Sequence, residues 1–494
     1  MQQDPRRMWR TATHALLTLV LLLVAPSHAW AQQTLVVWHT ENDPATLGAL
    51  TEIGRRFSAE HAGVSVEFSF IGWNDIERRI LTAVESGATP DLMQVEPHQV
   101  AYLIAGRHLQ PLDDVLSPDE RADIYSSVRD LQRYDDHTYG LPTALGISYF
   151  AIRRDLVPPA VRTESVDTWD DALRLFEACR SAHPDLAPLL LPANDLHLTI
   201  LFSELLASNG GTLFDATGNP ALNTPRVIET LAYLARLYSL VPPTYRNASY
   251  PENFAHFAQG RAVTLPGFFG RGTLSIMRQA PVGMRSPQTF GLIPHPRGPS
   301  AVRDRTPAVA TVDSEPWVLP ARARSPQLAR DFLRFFYRPE IYMLFAASVP
   351  IHLTPVRRSL ATSSEYEGLP HVRLWRPFHD DLLRQLASGT VLPIFMSRAE
   401  DRFRPALFRL EGSHIVPEMV REVYQGGTPD LAVRRAQERA QLLVRGLPLD
   451  IRRAPTLTSA PRPGRRLGPA LAVGSAVVSL LFLGWLRSRR SRSP

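Results

Sequence analysis

Lysine is absent from this 494-residue sequence, so all 54 of its basic residues are arginine, a bias that reflects genome composition rather than function. Cysteine is nearly absent as well, because Cys179 is the only one. A single cysteine excludes an intrachain disulfide, and its position far from the N-terminus excludes lipid attachment at a processed N-terminal cysteine. We therefore expect Cys179 to be a small buried apolar residue.

The sequence also lacks the patterns that mark many enzymes: a metal-ligand cluster, a glycine loop that cradles phosphate, and a nucleophile elbow. Ser413 and His414 are adjacent, but neighbours along a chain do not define a catalytic geometry. We therefore expect a protein that is not an enzyme and that holds neither a metal nor another cofactor. At 494 residues with 44% hydrophobic residues, the chain is long enough for two domains with ordinary cores.

The net charge of +6 is concentrated at the two ends of the chain. The first 31 residues carry +2 and the residues after 447 carry +8, which leaves −4 for the region between them. A slightly acidic central region offers no electrostatic footprint for DNA or RNA. We therefore expect no nucleic-acid partner.

The N-terminal end has the pattern of a secretory signal peptide. Three arginines in the first ten residues precede an apolar stretch from Ala15 to Val24, and Ala29-Trp30-Ala31 fits the small-x-small cleavage pattern. The adjacent Arg6 and Arg7 also occur in twin-arginine signals, but the rest of that motif is not evident, which favours ordinary secretion. The pattern predicts a signal peptide over residues 1–31, and export.

The C-terminal end has the pattern of a membrane anchor. Residues 467–486 carry no charge, and as a helix they would span about 30 Å, the thickness of one hydrocarbon core. A basic segment at 487–494 follows this stretch at once, as expected of a cytoplasmic end. A linker rich in proline and arginine at 448–466 precedes the same stretch. A buried helix of the globular region is the alternative, which the length and the arginine flanks disfavour. We expect an extracytoplasmic protein tethered by a C-terminal transmembrane helix.

Strand and helix patterns alternate directly after the predicted cleavage site. The runs TLVVWH at 34–39 and VSVEFSF at 64–70 are typical of strands, and apolar residues recur at helical spacing through 47–60. Strand, helix and strand in succession predict a parallel pair within an α/β lobe. A similar alternation continues as far as residue 105.

Several blocks of the sequence occur in an order that resembles the extracellular solute-binding proteins of ABC importers, specifically the maltose-binding-like group. The blocks are VVWH, GVSVEFSFIGWNDIERRILTAVESGATPDLMQV, YGLPTALGISYF, LLASNGGTLFD followed by ALNTPRVIETLAYLARLY, FAQGRAVTLPGFF and SPQLARDFLRFFYRPEIYMLFAASVPIHLTPVRRSL. The resemblance covers about residues 34–445. No single block is decisive, but their common order makes the signal specific.

The resemblance implies a two-lobe periplasmic-binding-protein fold of the α/β class, in which three chain crossings join the lobes and the ligand lies in the cleft between them. Closure would occur by hinge bending. We place the crossings near Thr143, Thr289 and Tyr337. This division gives lobe I as 32–143 and 289–337, and lobe II as 144–288 and 338–447.

Candidate ligand-binding residues of lobe I come from the rule that ligands meet the carboxyl ends of parallel strands. They are His39, Glu41 and Asn42 after the first strand, Trp73 after the second, and Glu96 and His98 after the third. The loop after the first strand also suits a helix cap by Asn42 or Asp43, so both roles stay open there. Trp73 has a similar alternative, since it could pack over the helix that follows it.

Lobe II adds four candidates, the last two of which follow from the resemblance. They are Tyr149, His197, Phe269 and Arg271. Phe269 falls where many sugar-binding members have a tryptophan, with Phe268 expected in the core beneath it. Trp317, in the return segment of lobe I, corresponds to a cleft tryptophan of the family, and structural packing is the alternative for it.

The resemblance implies a substrate-binding component that captures a solute outside the membrane and delivers it to the permease and ATPase subunits of an importer. The family and the aromatic candidates point to a carbohydrate. A glycerol-phosphate-type ligand is the alternative, because WHTEN resembles that branch and Arg271 could pair with a phosphate. A membrane-tethered sensor or assembly subunit, without a role in transport, is the second functional class.

Overall fold

The structure is a computed structural model that describes residues 33–72, 75–388, 391–393, 402–403, 405–447 and 451–452. The predicted signal peptide, transmembrane span and basic tail lie outside these residues, as does nearly all of the predicted linker. Among the residues that are described, no helix is long and apolar enough to cross a membrane. The anchor at 467–486 therefore stays a prediction.

The described strands are short, and most of them belong to two separate sheets. In chain order they are β1 (Gln33–His39), β2 (Val64–Phe70), β3 (Leu92–Gln94), β4 (Leu109–Gln110), β5 (Arg133–Tyr134), β6 (His137–Thr138), β7 (Gly140–Leu141), β8 (Gly146–Arg153), β9 (Thr264–Phe268), β10 (Phe290–Ile293), β11 (Ala310–Asp313), β12 (Trp317–Pro320), β13 (Val391–Pro393), β14 (Arg402–Phe403) and β15 (Ile451–Arg452).

Helices surround the two sheets. In chain order they are α1 (Pro44–Glu60), α2 (Ile76–Ser86), α3 (Pro97–Ala105), α4 (Pro118–Asp123), α5 (Ser126–Arg129), α6 (Trp169–Ala182), α7 (Asp195–Ser208), α8 (Pro225–Leu240), α9 (Tyr250–Ala258), α10 (Phe269–Gln279), α11 (Pro299–Arg303), α12 (Pro326–Phe336), α13 (Pro339–Ala346), α14 (Arg358–Ala361), α15 (Ser364–Glu367), α16 (Pro370–Leu374), α17 (Arg376–Ser388), α18 (Pro405–Gly412), α19 (Ile415–Tyr424) and α20 (Pro429–Leu443).

The first lobe is built on a sheet in the order β2-β1-β3-β12-β4, with β7 also paired to β12. Strand β1 runs parallel to both β2 and β3, as the strand-helix-strand pattern predicts. Strand β12 is antiparallel to its neighbours and returns to this sheet from a later part of the chain. The carboxyl ends of β1 and β3 therefore lie at one edge, where Glu41 and Glu96 follow.

Local sequence signals set the ends of the helices that follow β1 and β2. The Asp43 carboxylate accepts a hydrogen bond from the backbone N–H of Ala45 at 3.0 Å, and Pro44 occupies the first turn of α1. Helix α2 ends at Gly87, whose φ of 74° is accessible to glycine without strain. The sequence left open whether Asn42 or Asp43 caps this helix, and the cap is Asp43.

The second lobe is organised around the long strand β8. It pairs antiparallel with β9, β10 and β11, and β11 runs parallel to β13. Seven of the eight residues of β8 are buried, since helices or neighbouring chain cover the strand on both faces. Helices α6, α7, α8, α19 and α20 form a separate apolar core on this lobe.

The second crossing lies later in the chain than the sequence interpretation places it. Strands β10 and β11, at 290–293 and 310–313, pair with β8 of the second lobe, although the prediction assigned 289–337 to lobe I. The chain returns to the first sheet only at β12, so the crossing spans 314–316 rather than lying near Thr289. A short apolar strand carries no local signal for which sheet it joins.

The third crossing also lies later than its predicted position near Tyr337. Helix α13 packs on α1 of the first lobe, and only the chain beyond it leads to the second lobe. The Tyr337 hydroxyl donates to the carbonyls of Leu141 and Pro142 at 3.0 and 2.7 Å, and the Tyr342 hydroxyl donates to the carbonyl of Thr143. These buried tyrosines tie the first crossing, at 142–145, to the segment that leads into the third.

Candidate ligand-binding site

A polar cleft separates the two sheets where their strand ends meet the three crossings. It contains two small cavities of about 70 and 30 Å³. The lining residues come from both lobes and from the crossings: Glu41, Glu96, Ala144, Leu145, Gly146, Leu196, His197, Ile200, Tyr250, Phe268, Arg271, Asp313, Ser314, Glu315, His352 and Leu353. Small-molecule sites usually measure about 300–1,000 Å³, and these two cavities are much smaller. The lobes are therefore in a closed arrangement, and the cleft must open to admit a solute.

One side of the cleft is closed by a cluster of charged groups that joins the lobes. The guanidinium of Arg271, near the start of α10, lies 2.6 Å from Nε2 of His352 and 3.4 Å from the Glu41 carboxylate. Nε2 of His352 is 3.3 Å from the other oxygen of Glu41. Glu41 belongs to the first lobe, Arg271 to the second and His352 to the third crossing, so opening the cleft must break this cluster.

Gly270 permits the close approach on which this cluster depends. A Cβ at this position would lie 2.9 Å from the backbone of both His352 and Ile351. Any side chain at residue 270 would therefore push α10 away from the third crossing and separate Arg271 from His352.

The charges of this cluster hold Glu41 ionised. Burial by itself would raise the pKa of Glu41, but the charges of His352 and Arg271 outweigh it and lower the pKa to about 2. The Glu41 side chain is about 2% exposed, whereas that of Arg271 is about 27% exposed. The buried Glu41 carboxylate is thus paired with the partly accessible guanidinium of Arg271.

The other side of the cleft holds three carboxyl groups that lack such a partner. Glu96 lies at the start of α3, Asp313 ends β11, and Glu315 lies within the second crossing. The Glu96 and Asp313 carboxyls lie within hydrogen-bonding reach of each other, and Glu315 accepts from the Thr40 hydroxyl at 2.9 Å. Among the described residues, no basic side chain forms an ion pair with any of these three carboxyls.

Crowding of these carboxyls disfavours their ionised forms. Burial, followed by the charges of Asp313 and Glu315, raises the pKa of Glu96. Burial and the charges of Glu41 and Asp313 raise the pKa of Glu315, and burial raises that of Asp313. Within the described part of the chain, no group of three or more histidine, cysteine or acidic side chains is placed to hold a metal ion.

Aromatic rings line the second-lobe side of the cleft. Phe268, the last residue of β9, is partly exposed there, and the ring of His197 stacks on that of Tyr250 with centroids 3.9 Å apart. The Tyr250 hydroxyl accepts from the backbone N–H of Phe268 at 2.7 Å, which fixes the two rings relative to each other. Burial lowers the pKa of His197 to about 3, so this imidazole is neutral.

Of the first-lobe candidates that the structure describes, two line the cleft. Glu41 and Glu96 do, whereas His39 is buried behind them against Phe68, and Asn42 is exposed. His98 is buried toward helix α18, with its imidazole 3.7 Å from Glu411. Trp73 lies outside the described residues, and its predicted role stays a prediction.

The second-lobe candidates divide in the same way, since His197 and Arg271 line the cleft and Tyr149 and Phe269 do not. Phe269 is buried against Trp375, with ring centroids 5.7 Å apart, and Phe268 takes the position expected of it. The strand β9 ends at Phe268 and helix α10 begins at Phe269, so the side-chain direction changes between them. Trp317 is fully buried in the first sheet, edge-on to Phe336.

Tyr149 and Phe269 line a different cavity, of about 390 Å³, that lies within the second lobe and outside the cleft. The Tyr149 hydroxyl donates to Asp381 at 2.8 Å, and Phe378 packs edge-on against both aromatic rings. These contacts make the two residues part of the packing between β8 and α17.

Sequence reasoning missed Asp313, Glu315, Tyr250 and His352 as cleft residues. Asp313 ends strand β11 and Glu315 follows it, so the strand-end rule would have found them if a strand had been predicted at 310–313. Glu315 also has a φ of 32°, in the left-handed region that non-glycine residues rarely adopt. His352 lies in a crossing without periodic pattern, and only its position along the crossing identifies it.

Comparison with known proteins agrees with this architecture. The family model for the bacterial extracellular solute-binding protein matches residues 43–343. An uncharacterized ABC transporter extracellular-binding protein of Pyrococcus horikoshii is 19% identical over 80% of this chain and 85% of its own length. Among solved structures, maltose-bound MalE3 of T. maritima has a TM-score of 0.68 at 15% identity, over 83% of this chain and 100% of that one.

A sugar transporter protein from Arthrobacter chlorophenolicus, solved with bound laminaribiose, superimposes with a TM-score of 0.66 at 16% identity, over 83% of this chain and 99% of that one. At these identities the solved structures establish the two-lobe fold and no more. The family model covers more than half of the sequence and carries the assignment. The chain belongs to the bacterial extracellular solute-binding proteins, which bind solutes and are not enzymes.

Proposed function

We propose that this protein is the substrate-binding component of an ABC importer, and that it binds a carbohydrate in the cleft between its lobes and delivers it to the permease. The observation that carries the proposal is the composition of the cleft. Aromatic rings face hydrogen-bonding carboxyl, imidazole and guanidinium groups across it. Sugars present apolar C–H faces and polar hydroxyls, so such a cleft suits them.

The comparisons support the same proposal. MalE3 of T. maritima was solved with maltose and the A. chlorophenolicus protein with laminaribiose, and both share the two-lobe fold. The relative in P. horikoshii bears the name of an ABC transporter extracellular-binding protein. A saccharide delivered to an importer is the simplest function that fits all three.

A glycerol-phosphate-type ligand fits the cleft less well. Arg271, the residue expected to pair with phosphate, is already engaged by Glu41 and His352. The three further carboxyls on the opposite side would repel a phosphate dianion. The alternative is therefore retained only as an arm of the test.

A ligand panel tests the proposed function directly. The full-length protein is titrated with maltose, laminaribiose, cellobiose, amino sugars and glycerol 3-phosphate, and the thermal midpoint is recorded. A saccharide that binds the folded state raises the midpoint in proportion to the logarithm of its concentration. Stabilisation by glycerol 3-phosphate alone, or by no saccharide at all, would overturn the proposal.

We also propose that residues 467–486 tether the protein to the membrane with its lobes on the extracytoplasmic side. After alkaline carbonate washing, the full chain should stay with membranes, and a chain ending at Leu447 should be released. A full chain that washes off contradicts the tether. Loss of growth on the bound solute after deletion of the gene, with the permease intact, would support transport and exclude the sensor class.

A further inference from the structure

We infer that the solute carries a protonated amine, so that the bound carbohydrate is an amino sugar whose ammonium group lies among Glu96, Asp313 and Glu315. This inference rests on the proposed function, because it assigns a chemical class to the solute of the same cleft. Three observations carry it: the balance of charge across the cleft, an unpartnered carboxyl oxygen, and the aromatic rings beside it.

The charged and titratable groups that face the cleft from each packed element are unequal in sign. Those that line it are Glu41 after β1, Glu96 at the start of α3, His197 on α7, Arg271 on α10, Asp313 and Glu315 at the second crossing and His352 on the third crossing, while His39 at the end of β1 and the pair of His98 and Glu411 are packed behind them. Arg271 is the only permanent cation in this set, and Glu41 already neutralises it.

Glu96 supplies the second, independent observation. Its residue is 5% exposed and lines the larger of the two cavities, yet its Oε2 atom has no hydrogen-bond partner among the described residues. A buried carboxyl oxygen without a donor is costly, and the Asp313 carboxyl within reach of Glu96 forms a hydrogen bond with it only when one of the two carboxyls keeps its proton. The site therefore lacks a donor at this point, and an ammonium group supplies three.

The aromatic rings complete the match to an aminated ring. Phe268 and Tyr250 border the same cavity as Glu96, Asp313 and Glu315. An aromatic face stacks against the apolar face of a pyranose and also attracts a cation held near it. A neutral sugar would stack on the rings but leave the negative charge of the carboxyls uncompensated. An acidic sugar would add a further negative charge and increase the repulsion.

A matched series of saccharides tests the inference on the full-length protein. The probes are the β-1,4 glucosamine disaccharide, N,N'-diacetylchitobiose and cellobiose, which differ only in carrying an ammonium, an acetamide or a hydroxyl at C2. Glucosamine, N-acetylglucosamine and glucose, and galactosamine with galactose, extend the series to monosaccharides. Affinities are measured by isothermal titration calorimetry at pH 7, with calcium chloride as a metal control.

The aminated member of at least one set should bind at least about tenfold more tightly than its neutral partner, as one charge-assisted hydrogen bond provides. Glu96→Gln should remove that preference, so that the aminated and neutral partners bind the variant with affinities within about threefold of each other. Glu77→Gln is the matched control, since Glu77 is also a partly buried carboxyl, with its pKa raised to about 7 by burial and Glu411, but it does not line the cleft.

The outcomes separate this inference from the proposed function. Equal or tighter binding of the neutral members would overturn the inference and leave a carbohydrate-binding function standing. An aminated preference that survives Glu96→Gln, or stabilisation by calcium without any sugar, would overturn the assignment of these carboxyls. Failure of every saccharide to bind would overturn the proposed function as well.

Discussion

Two regions join the lobes of this protein, and they differ in almost every physical respect. One is the charged cleft around Glu41 and Arg271. The other is an apolar contact, in which Phe408 of α18 is fully buried among residues of α2, α3 and the first sheet, with its ring centroid 4.6 Å from that of Tyr102. The neighbours of Phe408 on the same helix, Leu407 and Leu410, pack instead in the core of the second lobe.

This difference indicates that the contacts that hold the lobes together are not those that determine which solute binds. Burial of an apolar ring stabilises the closed arrangement by an amount that does not depend on a ligand. Closing a cleft lined by unpaired carboxyls costs free energy until a solute compensates them. We therefore assign closure mainly to the Phe408 contact and specificity to the cleft, so substitutions should be able to impair one without the other.

Replacement of Phe408 should have the largest effect. Phe408→Ala removes a fully buried ring, which typically lowers the free energy of unfolding by about 3–5 kcal/mol. Because this ring bridges the lobes, the variant should also open, with a larger radius of gyration in small-angle X-ray scattering. Phe176→Ala, in the core of the second lobe alone, is the control that should lose stability without opening. Equal radii for the two variants would refute the role of the apolar contact.

Removal of Arg271 should come next. Arg271→Met leaves the Glu41 carboxylate buried without its permanent cation, at a cost of about 3 kcal/mol in the free energy of unfolding measured with urea. The double variant Glu41→Gln with Arg271→Met should recover much of this loss. Arg278→Met is the control, because Arg278 pairs with Asp43 across the same lobes but is about half exposed, and should cost under about 1 kcal/mol. A larger effect for Arg278 would contradict the account.

The two sides of the cleft should respond to pH in opposite directions. The pKa of Glu41 is lowered to about 2, so its contribution to the free energy of unfolding, about 3 kcal/mol, is present above its ordinary pKa near 4.5 and is lost as the pH falls toward 2. The pKa values of Glu96 and Glu315 are raised, so the folded state binds more protons than the unfolded one and stability falls as the pH rises above about 4.5. Urea unfolding from pH 3 to 8 measures both, and Glu41→Gln should abolish only the acidic part.

Substitution of Glu96 should have the smallest effect, and its sign is informative. Glu96→Gln places an amide donor beside Asp313 and removes one of the crowded carboxyls, so it should stabilise the ligand-free protein at pH 7 by about 1 kcal/mol. The amide oxygen can still accept at the start of α3, where Glu96 forms a capping box with Gln99. A loss of stability at pH 7 would mean that Glu96 is a structural ion and not a group reserved for a ligand.

Much of the fold could be predicted from the sequence. The alternation of strand and helix patterns from Thr34 to Ala105 gives the parallel part of the first sheet, and the ordered blocks that resemble the family give two lobes. The lobe boundaries could not be predicted in the same way. FGLIPHP and ATVD have the same short apolar texture as the strands of the first lobe, and only their pairing with β8 decides which sheet they join.

The residues of the candidate site also divide into those that the sequence could predict and those that it could not. The strand-end rule found Glu41 and Glu96, because both directly follow strands whose position was correctly predicted. The family resemblance, by contrast, exchanged Phe268 and Phe269, since the change from strand to helix between these two residues reverses which ring faces the cleft. His352 was missed because tertiary contacts alone, with Gly270 and Arg271, place it in the cleft.

The most direct test of the central claim, that the cleft at Glu41 and Arg271 binds a carbohydrate, is native mass spectrometry of the full-length protein purified without added ligand. The wild-type protein should carry a co-purified saccharide that tandem mass spectrometry identifies. Arg271→Met, purified in parallel, should carry it at no more than about a tenth of the wild-type occupancy. A saccharide retained equally by the variant, or a bound solute of another chemical class, would contradict the account.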